Sequence, residues 1–252
     1  MYIGIDLGTS GVKTILTDES GKVVDSASSS LTVAIPQPLW SEQNPEDWWT
    51  ATCATLDELK QRNDLSVVKA LGLAGQMHGA TLLDKVGQVL RPAILWNDGR
   101  SEAQCRTLES TIIKARVITG NLVMPGFTAP KLLWIKENEP DIFKQVDKVL
   151  LPKDYLRYKL TGEFASDMSD SAGTSWLNTG ERSWSKSMLM ACGLSEKHMP
   201  TLYEGNEITG YLTAKTAKRW GMKAVPVVAG AGDNAAGAVG CGIVDAGQAM
   251  LS

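Results

Sequence analysis

Met1-Tyr2-Ile3-Gly4-Ile5-Asp6-Leu7-Gly8-Thr9-Ser10-Gly11-Val12-Lys13-Thr14-Ile15-Leu16-Thr17-Asp18-Glu19-Ser20-Gly21-Lys22-Val23-Val24-Asp25-Ser26-Ala27-Ser28 opens the chain. It reads as three short strands, Tyr2–Asp6, Val12–Thr17 and Lys22–Ser28, separated by two tight turns, which predicts an antiparallel meander. A dinucleotide-binding fold would send its first strand into a helix rather than a hairpin. The first turn, Gly8-Thr9-Ser10-Gly11, joins two glycines to two hydroxyl residues, and successive N–H groups in such a turn can cradle an anion. Asp6, at its entrance, could organise a hydrated Mg²⁺ beside a phosphate. The same residues also suit an ordinary hairpin turn. Neither a Gly-Lys-Ser/Thr loop nor a GxGxxG helix start is present.

Downstream, Asn44-Pro45-Glu46-Asp47 has the form of a helix start, with an Asn cap, Pro in the first position and acidic residues in the first turn, and predicts a helix to about Arg62. Val67–Ala74 reads as a buried strand. Ala80–Asp84 and Val89–Leu95 flank a turn. Residues 99–117, 128–138 and 153–160 read as helices. Val225–Ala229 reads as a further apolar strand, followed by a Gly/Ala-rich helix from Gly232. The sum is a mixed α/β chain. Hydrophobic residues make up 43% of the 252, enough for a sizeable core. A net charge of −3, with no basic run, argues against nucleic acid or an anionic membrane as partner. No stretch of 18 apolar residues predicts a membrane span, and the N-terminus lacks the basic leader of a signal peptide. The four cysteines and two histidines are too scattered for zinc, and free thiols fit a reducing cytoplasm.

Four more segments follow in order: Gly75-Gln76-Met77-His78-Gly79, Leu95-Trp96-Asn97-Asp98-Gly99-Arg100, Gly126–Asn138 and Gly230-Ala231-Gly232-Asp233-Asn234-Ala235-Ala236-Gly237. Together with Gly4-Ile5-Asp6-Leu7-Gly8-Thr9-Ser10, they closely resemble the FGGY family of carbohydrate kinases, along the whole chain. The resemblance implies a ribonuclease-H-like, actin-like ATPase domain: a mixed sheet with an antiparallel N-terminal meander, flanked by helices. It also implies ATP and Mg²⁺ as cofactors, a sugar as substrate and the possibility of a homodimer. Family chains are about twice as long, with the adenine site mainly on a second domain. Residues 1–244 are accordingly expected to form the first, sugar-binding domain, and 245–252 the start of the second. Gln76-Met77-His78-Gly79-Ala80, Trp96–Arg100 and Leu151–Tyr155 look most like the branch that phosphorylates the terminal hydroxyl of D-xylulose. A kinase for another ketose or polyol, or a non-catalytic sugar-binding protein, are the alternatives.

By the same resemblance Asp233 is the catalytic base, although an Asp between a strand and a helix also reads as an N-cap. Asp6 would organise Mg²⁺, with Gly8, Thr9, Ser10 and Gly11 seating phosphate. Met77, His78, Trp96, Asn97, Asp154, Asp233 and Asn234 are the expected sugar contacts. His78 could bond to a hydroxyl or to a keto oxygen. Trp96 could offer a flat apolar face to sugar C–H groups. Asp154 and Tyr155 also read simply as the first turn of a helix. Lys131 and Trp134, within the Gly126–Asn138 segment, read as structural.

Overall fold

The structure, a computed structural model, describes residues 1–251; Ser252, the last residue of the expected second-domain start, lies outside the described residues. The opening meander is present as β1 (Tyr2–Leu7), β2 (Gly11–Thr17) and β3 (Val23–Ser30), each antiparallel to the next. Their sequence alternates because side chains alternate across a pleated sheet. Ile3, Ile5 and Leu7 are buried on one face, while Asp6 opens on the other. The helix α1 (Pro45–Arg62) covers the buried face with Trp48, Leu56 and Leu59. It begins where the sequence predicts: Asn44 Oδ1 accepts the N–H of Glu46.

The strand Ala70–Gly75 runs parallel to β1 and makes the sheet mixed. It starts three residues later than expected, because Asp64 caps a 3₁₀ turn at Leu65–Val67. Strand Pro226–Val228 lies on its far side, parallel to it, and Ile208–Tyr211 closes that edge antiparallel. Ala231–Gly232 then returns to pair with the top of Ala70–Gly75. Between these two visits Gly230 takes φ 72°, and a Cβ there would lie 1.8 Å from the Leu73 carbonyl oxygen, so only glycine fits.

The predicted 128–138 helix is Thr128–Asn138, and that at 153–160 is Pro152–Thr161, started by its proline and ended by Gly162 at φ 82°. The expected helix over 99–117 is two helices instead, Glu102–Thr111 and Ala115–Thr119, interrupted at residues 112–114. The core has two parts. One lies between the sheet and α1, around Ile5, Trp48, Leu71 and Trp220. The other is built by the middle of the chain around Leu132, Trp176 and Met188.

The register decides where the site falls. Leu7 pairs with Gly75, and Gly75 pairs with Gly232. Three parallel strands therefore end in one row. Neighbouring strands are about 4.8 Å apart, so the row spans about 10 Å.

Candidate active site

From that row the chain leaves three times: into the Gly8–Gly11 turn, into Gln76-Met77-His78, and into Asp233. Ligands of open α/β sheets sit beyond the carboxyl ends of parallel strands, where main-chain paths diverge. Asp6 and Asp233 both open onto this crevice. The Asp6 carboxyl is pushed above its ordinary range, first by lost solvation and then by the like charge of Asp233, with Lys13 opposing weakly. Two facing carboxylates suit a divalent cation between them and phosphate. Among the described residues no cluster of three or more metal-ligating side chains exists, so such an ion would draw most ligands from water and phosphate oxygens.

Asp233 is the first residue of helix Asp233–Gly240, and Gly232 occupies the cap position without a side-chain cap bond. The N-cap reading of Asp233 is thereby overturned. Its Oδ1 accepts the N–H of the next residue, Asn234, at 2.7 Å, and both residues are exposed.

The Gly8–Gly11 turn closes on itself through Gly8 N–H to Gly11 O. Its glycines are not there for positive φ, which neither adopts. Gly11 is needed for closeness, since a Cβ would lie 2.8 Å from Ser29 O. Thr9 departs from the expectation that its hydroxyl donates to phosphate. That hydroxyl donates to Gln76 Oε1 at 3.1 Å and accepts from Trp96 Nε1 at 3.0 Å. Ser10 stays exposed, while the Gly8 N–H and the carbonyls of Thr9, Ser10 and Gly11 are already bonded. Behind it Gln76 donates to Gln43 Oε1, and Gln43 donates to Thr9 O at 2.7 Å. These two buried glutamines brace the turn. Sequence reading missed Gln43, 34 residues from Thr9 with no motif around it.

Trp96 is half exposed and tethered beside the turn by its Nε1, with Asn97 exposed next to it. Asp98 is buried and holds Ser41 N–H and the Arg100 guanidinium. Arg100 in turn lies 3.7 Å from the centroid of Trp40, which meets Trp134 edge-on. Trp134 is structural, as expected.

Met77 lies between Gly173 and Gly232; a Cβ on Gly232 would come within 2.9 Å of it. Met77 therefore adjoins Asp233. His78 is partly buried against Phe127, 4.7 Å between ring centroids, and its Nδ1 is 2.8 Å from Gly173 O. Burial pushes its pKa down to about 4. His78 also has φ 67°, uncommon for a residue with a Cβ. Lys131, fully buried, donates to His78 O at 3.0 Å and to Gly126 O at 2.7 Å. Thr128 Oγ1 adds a third bond, to His78 O.

Asp154 is not in the crevice. It is fully buried in an ionic cluster with Lys153 Nζ at 2.7 Å and Arg157. Lys153 also pairs with Asp167 and Asp170. A sugar cannot reach Asp154 in this packing, which removes it from the contact set. Its cluster serves the site indirectly. Arg157 donates to the carbonyls of Val228 and Ala229, just before Gly230. Asp167 accepts from Ser169, whose hydroxyl receives Gly232 N–H at 3.4 Å.

Residues 1–240 match the model of the FGGY family of carbohydrate kinases, N-terminal domain. The chain is 66% identical over all 252 residues to xylulose kinase of Escherichia coli (strain K12), covering 52% of that protein, and 62% identical to xylulose kinase of Klebsiella pneumoniae with the same coverage. The crystal structure of a xyloylose kinase from Brucella ovis superposes with a TM-score of 0.95 at 53% identity, over 97% of this chain and 51% of that one. That of xylulose kinase from Rhodospirillum rubrum gives 0.93 at 30% identity, over 97% and 51%. The chain thus spans about half the length of the curated relatives it matches. A mixed sheet opened by a meander, carrying the crevice at its parallel ends, is the actin-like ATPase architecture that these sugar kinases share. On the family match and the identities together, the chain belongs to the FGGY family of carbohydrate kinases.

Proposed function

We propose that this chain carries the sugar-binding and proton-accepting part of an ATP- and Mg²⁺-dependent kinase that converts D-xylulose to xylulose 5-phosphate. The observation that supports this most is the single row from which Asp6, Met77–His78 and Asp233 depart. The names of the relatives at 66% and 62% identity favour xylulose among sugars.

Bound Mg·ATP would supply the phosphoryl group and the charge neutralisation. The chain's own groups do the remainder. Asp233 orients the terminal hydroxyl and takes its proton as the oxygen is phosphorylated; in a loose transition state the proton leaves late, so an ordinary carboxylate suffices. Asp6 would help hold the metal, through water. The Gly8–Gly11 turn and Ser10 would face phosphate oxygens. Met77 and Trp96 offer apolar surface, and His78, Asn97 and Asn234 offer polar atoms, to the sugar. Three of the four cysteines are buried and all are free thiols, which fits a reducing cytoplasm. Among the described residues no helix is long and apolar enough to cross a membrane.

The test is a coupled ATPase assay on the full-length protein over pentuloses, hexoses, glycerol and other polyols. D-Xylulose should give the highest kcat/KM. A different preferred sugar would move the substrate within the family, and no sugar-stimulated turnover at all would favour a sugar-binding protein without catalysis.

A further inference from the structure

His78 is a candidate sugar contact whose chemical polarity the fold decides. Its Nδ1 stands 2.8 Å from Gly173 O, and a carbonyl oxygen can only accept. Nδ1 must therefore carry a hydrogen. No hydrogen bond joins Nε2 to any described group, and Nε2 is not sealed inside the core. The backbone is held as firmly as the ring. His78 O receives Lys131 Nζ and Thr128 Oγ1, which fixes the left-handed φ of 67°. Phe127 packs on the ring, and Gly173 leaves it room: a Cβ there would lie 2.3 Å from Cε1 and 2.4 Å from Nδ1. The ring can neither flip to exchange its nitrogens nor slide away without breaking these contacts.

We infer that His78 is held in the Nδ1–H tautomer, so that its Nε2 lone pair accepts a hydrogen bond from a hydroxyl of the sugar and cannot recognise the keto oxygen. The partly buried ring, its pKa lowered to about 4 first by lost solvation, stays neutral at physiological pH, so Nε2 gains no second proton. The site then selects for a hydrogen-bond donor at one position of the substrate. A ketose has several hydroxyls and one carbonyl, so the carbonyl must be read by other groups. Lys131, Thr128 and Gly173 are positioning residues that impose this polarity without touching the sugar.

This inference rests on the sugar-kinase reading above, and the experiment separates the two. The first arm is independent of binding: two-bond ¹H–¹⁵N spectra of the full-length protein, with histidine labelled, should show His78 Nδ1 protonated and Nε2 bare. The second arm titrates D-xylulose analogues in which one hydroxyl at a time is replaced by hydrogen or by fluorine. Fluorine can accept weakly but cannot donate. At one position both replacements should weaken affinity alike, by about two- to tenfold, the worth of one neutral hydrogen bond. In His78→Ala that position should become insensitive. Gly173→Ala should weaken D-xylulose binding in parallel with a displaced Nε2 resonance. A protonated Nε2, or a fluoro analogue that keeps full affinity where the deoxy analogue at the His78-dependent position loses it, overturns the inference. Failure of D-xylulose to bind at all would sink both the substrate reading and the hydroxyl contact, while the spectra would still decide the tautomer.

Discussion

At the scale of single residues, Asp6 feels the negative charge of Asp233, and that influence can be tested. Asp6 is raised partly by the negative charge of Asp233. In Asp233→Asn that charge is gone, so the Asp6 carboxyl should titrate at lower pH, toward its ordinary range. Carboxyl-carbon NMR would follow it; an unmoved Asp6 would mean that the two groups do not share a crevice. The same substitution should lower kcat by about 10²–10⁴-fold, the usual contribution of a positioned base, with sugar affinity far less affected. His78 gives a pH prediction with a definite sign. Its folded pKa is about 4 against an ordinary 6.5, so the unfolded chain takes up the proton first. The stability it contributes is complete above pH 6.5 and is lost as pH falls toward 4. Urea unfolding of His78→Gln should show a shallower loss of stability across that window than the parent; equal slopes would mean that the ring is not held neutral by the fold.

At the scale of elements, the position of Asp233 depends on a strand that leaves the sheet and rejoins it. Gly230 makes that detour, and Arg157 grips the two carbonyls before it. Gly230→Ala should drive Cβ into Leu73 O and displace Ala231–Gly232 from its pairing, lowering kcat and thermal stability together. An active, fully stable variant would show that Asp233 does not depend on this pairing. These elements also mark the limits of sequence reading. The meander, the capped helix α1 and the helix from Thr128 were legible because their signals are local: turn glycines, an Asn-Pro start, apolar periodicity. Asp154 is expected at the sugar only through the family resemblance, while its local reading as the first turn of a helix holds, and what that reading leaves out is its burial. Only Lys153, bent toward Asp167 and Asp170 more than ten residues on, shows that the turn is interior. Thr9 reads as a hydroxyl donor to phosphate, and nothing local reveals that Gln76 and Trp96 reach its hydroxyl from distant segments. The left-handed backbone of His78 carries no local mark either, because Lys131 and Thr128 impose it from another helix.

At the scale of the molecule, the buried ionic cluster is a single point of failure. Lys153 faces three carboxylates with no water-exposed side. Lys153→Met would leave those charges buried without their main partner, and a loss of about 3–5 kcal/mol is expected in urea unfolding. A near-neutral result would mean that protons replace the lysine, which Asp170, already raised to about 7, would be the first to accept. Beside Asp6 the open sheet face forms a cavity of about 820 Å³ whose lining includes Ile15, Ala74, Val228 and Val239. Residues 1–252 produced alone should bind D-xylulose more weakly than the full-length protein, and Mg·ATP only weakly, as calorimetry would show; tight nucleotide binding by this segment would relocate the nucleotide site.

The row formed by Leu7, Gly75 and Gly232 has one more consequence, for the order in which the molecule comes apart. β1 and its parallel neighbour Ala70–Gly75 lie in the middle of the sheet, with strands on both sides. The part of the crevice floor that these two strands carry is therefore also the part least able to fray. Its amide protons should exchange with solvent only when the whole domain opens, and their exchange should respond to urea with the slope of global unfolding. The Gly8–Gly11 turn and the helix after Asp233, both more exposed, should exchange through smaller openings. A crevice floor that exchanged with a shallow slope would mean that the site dissolves before the fold does.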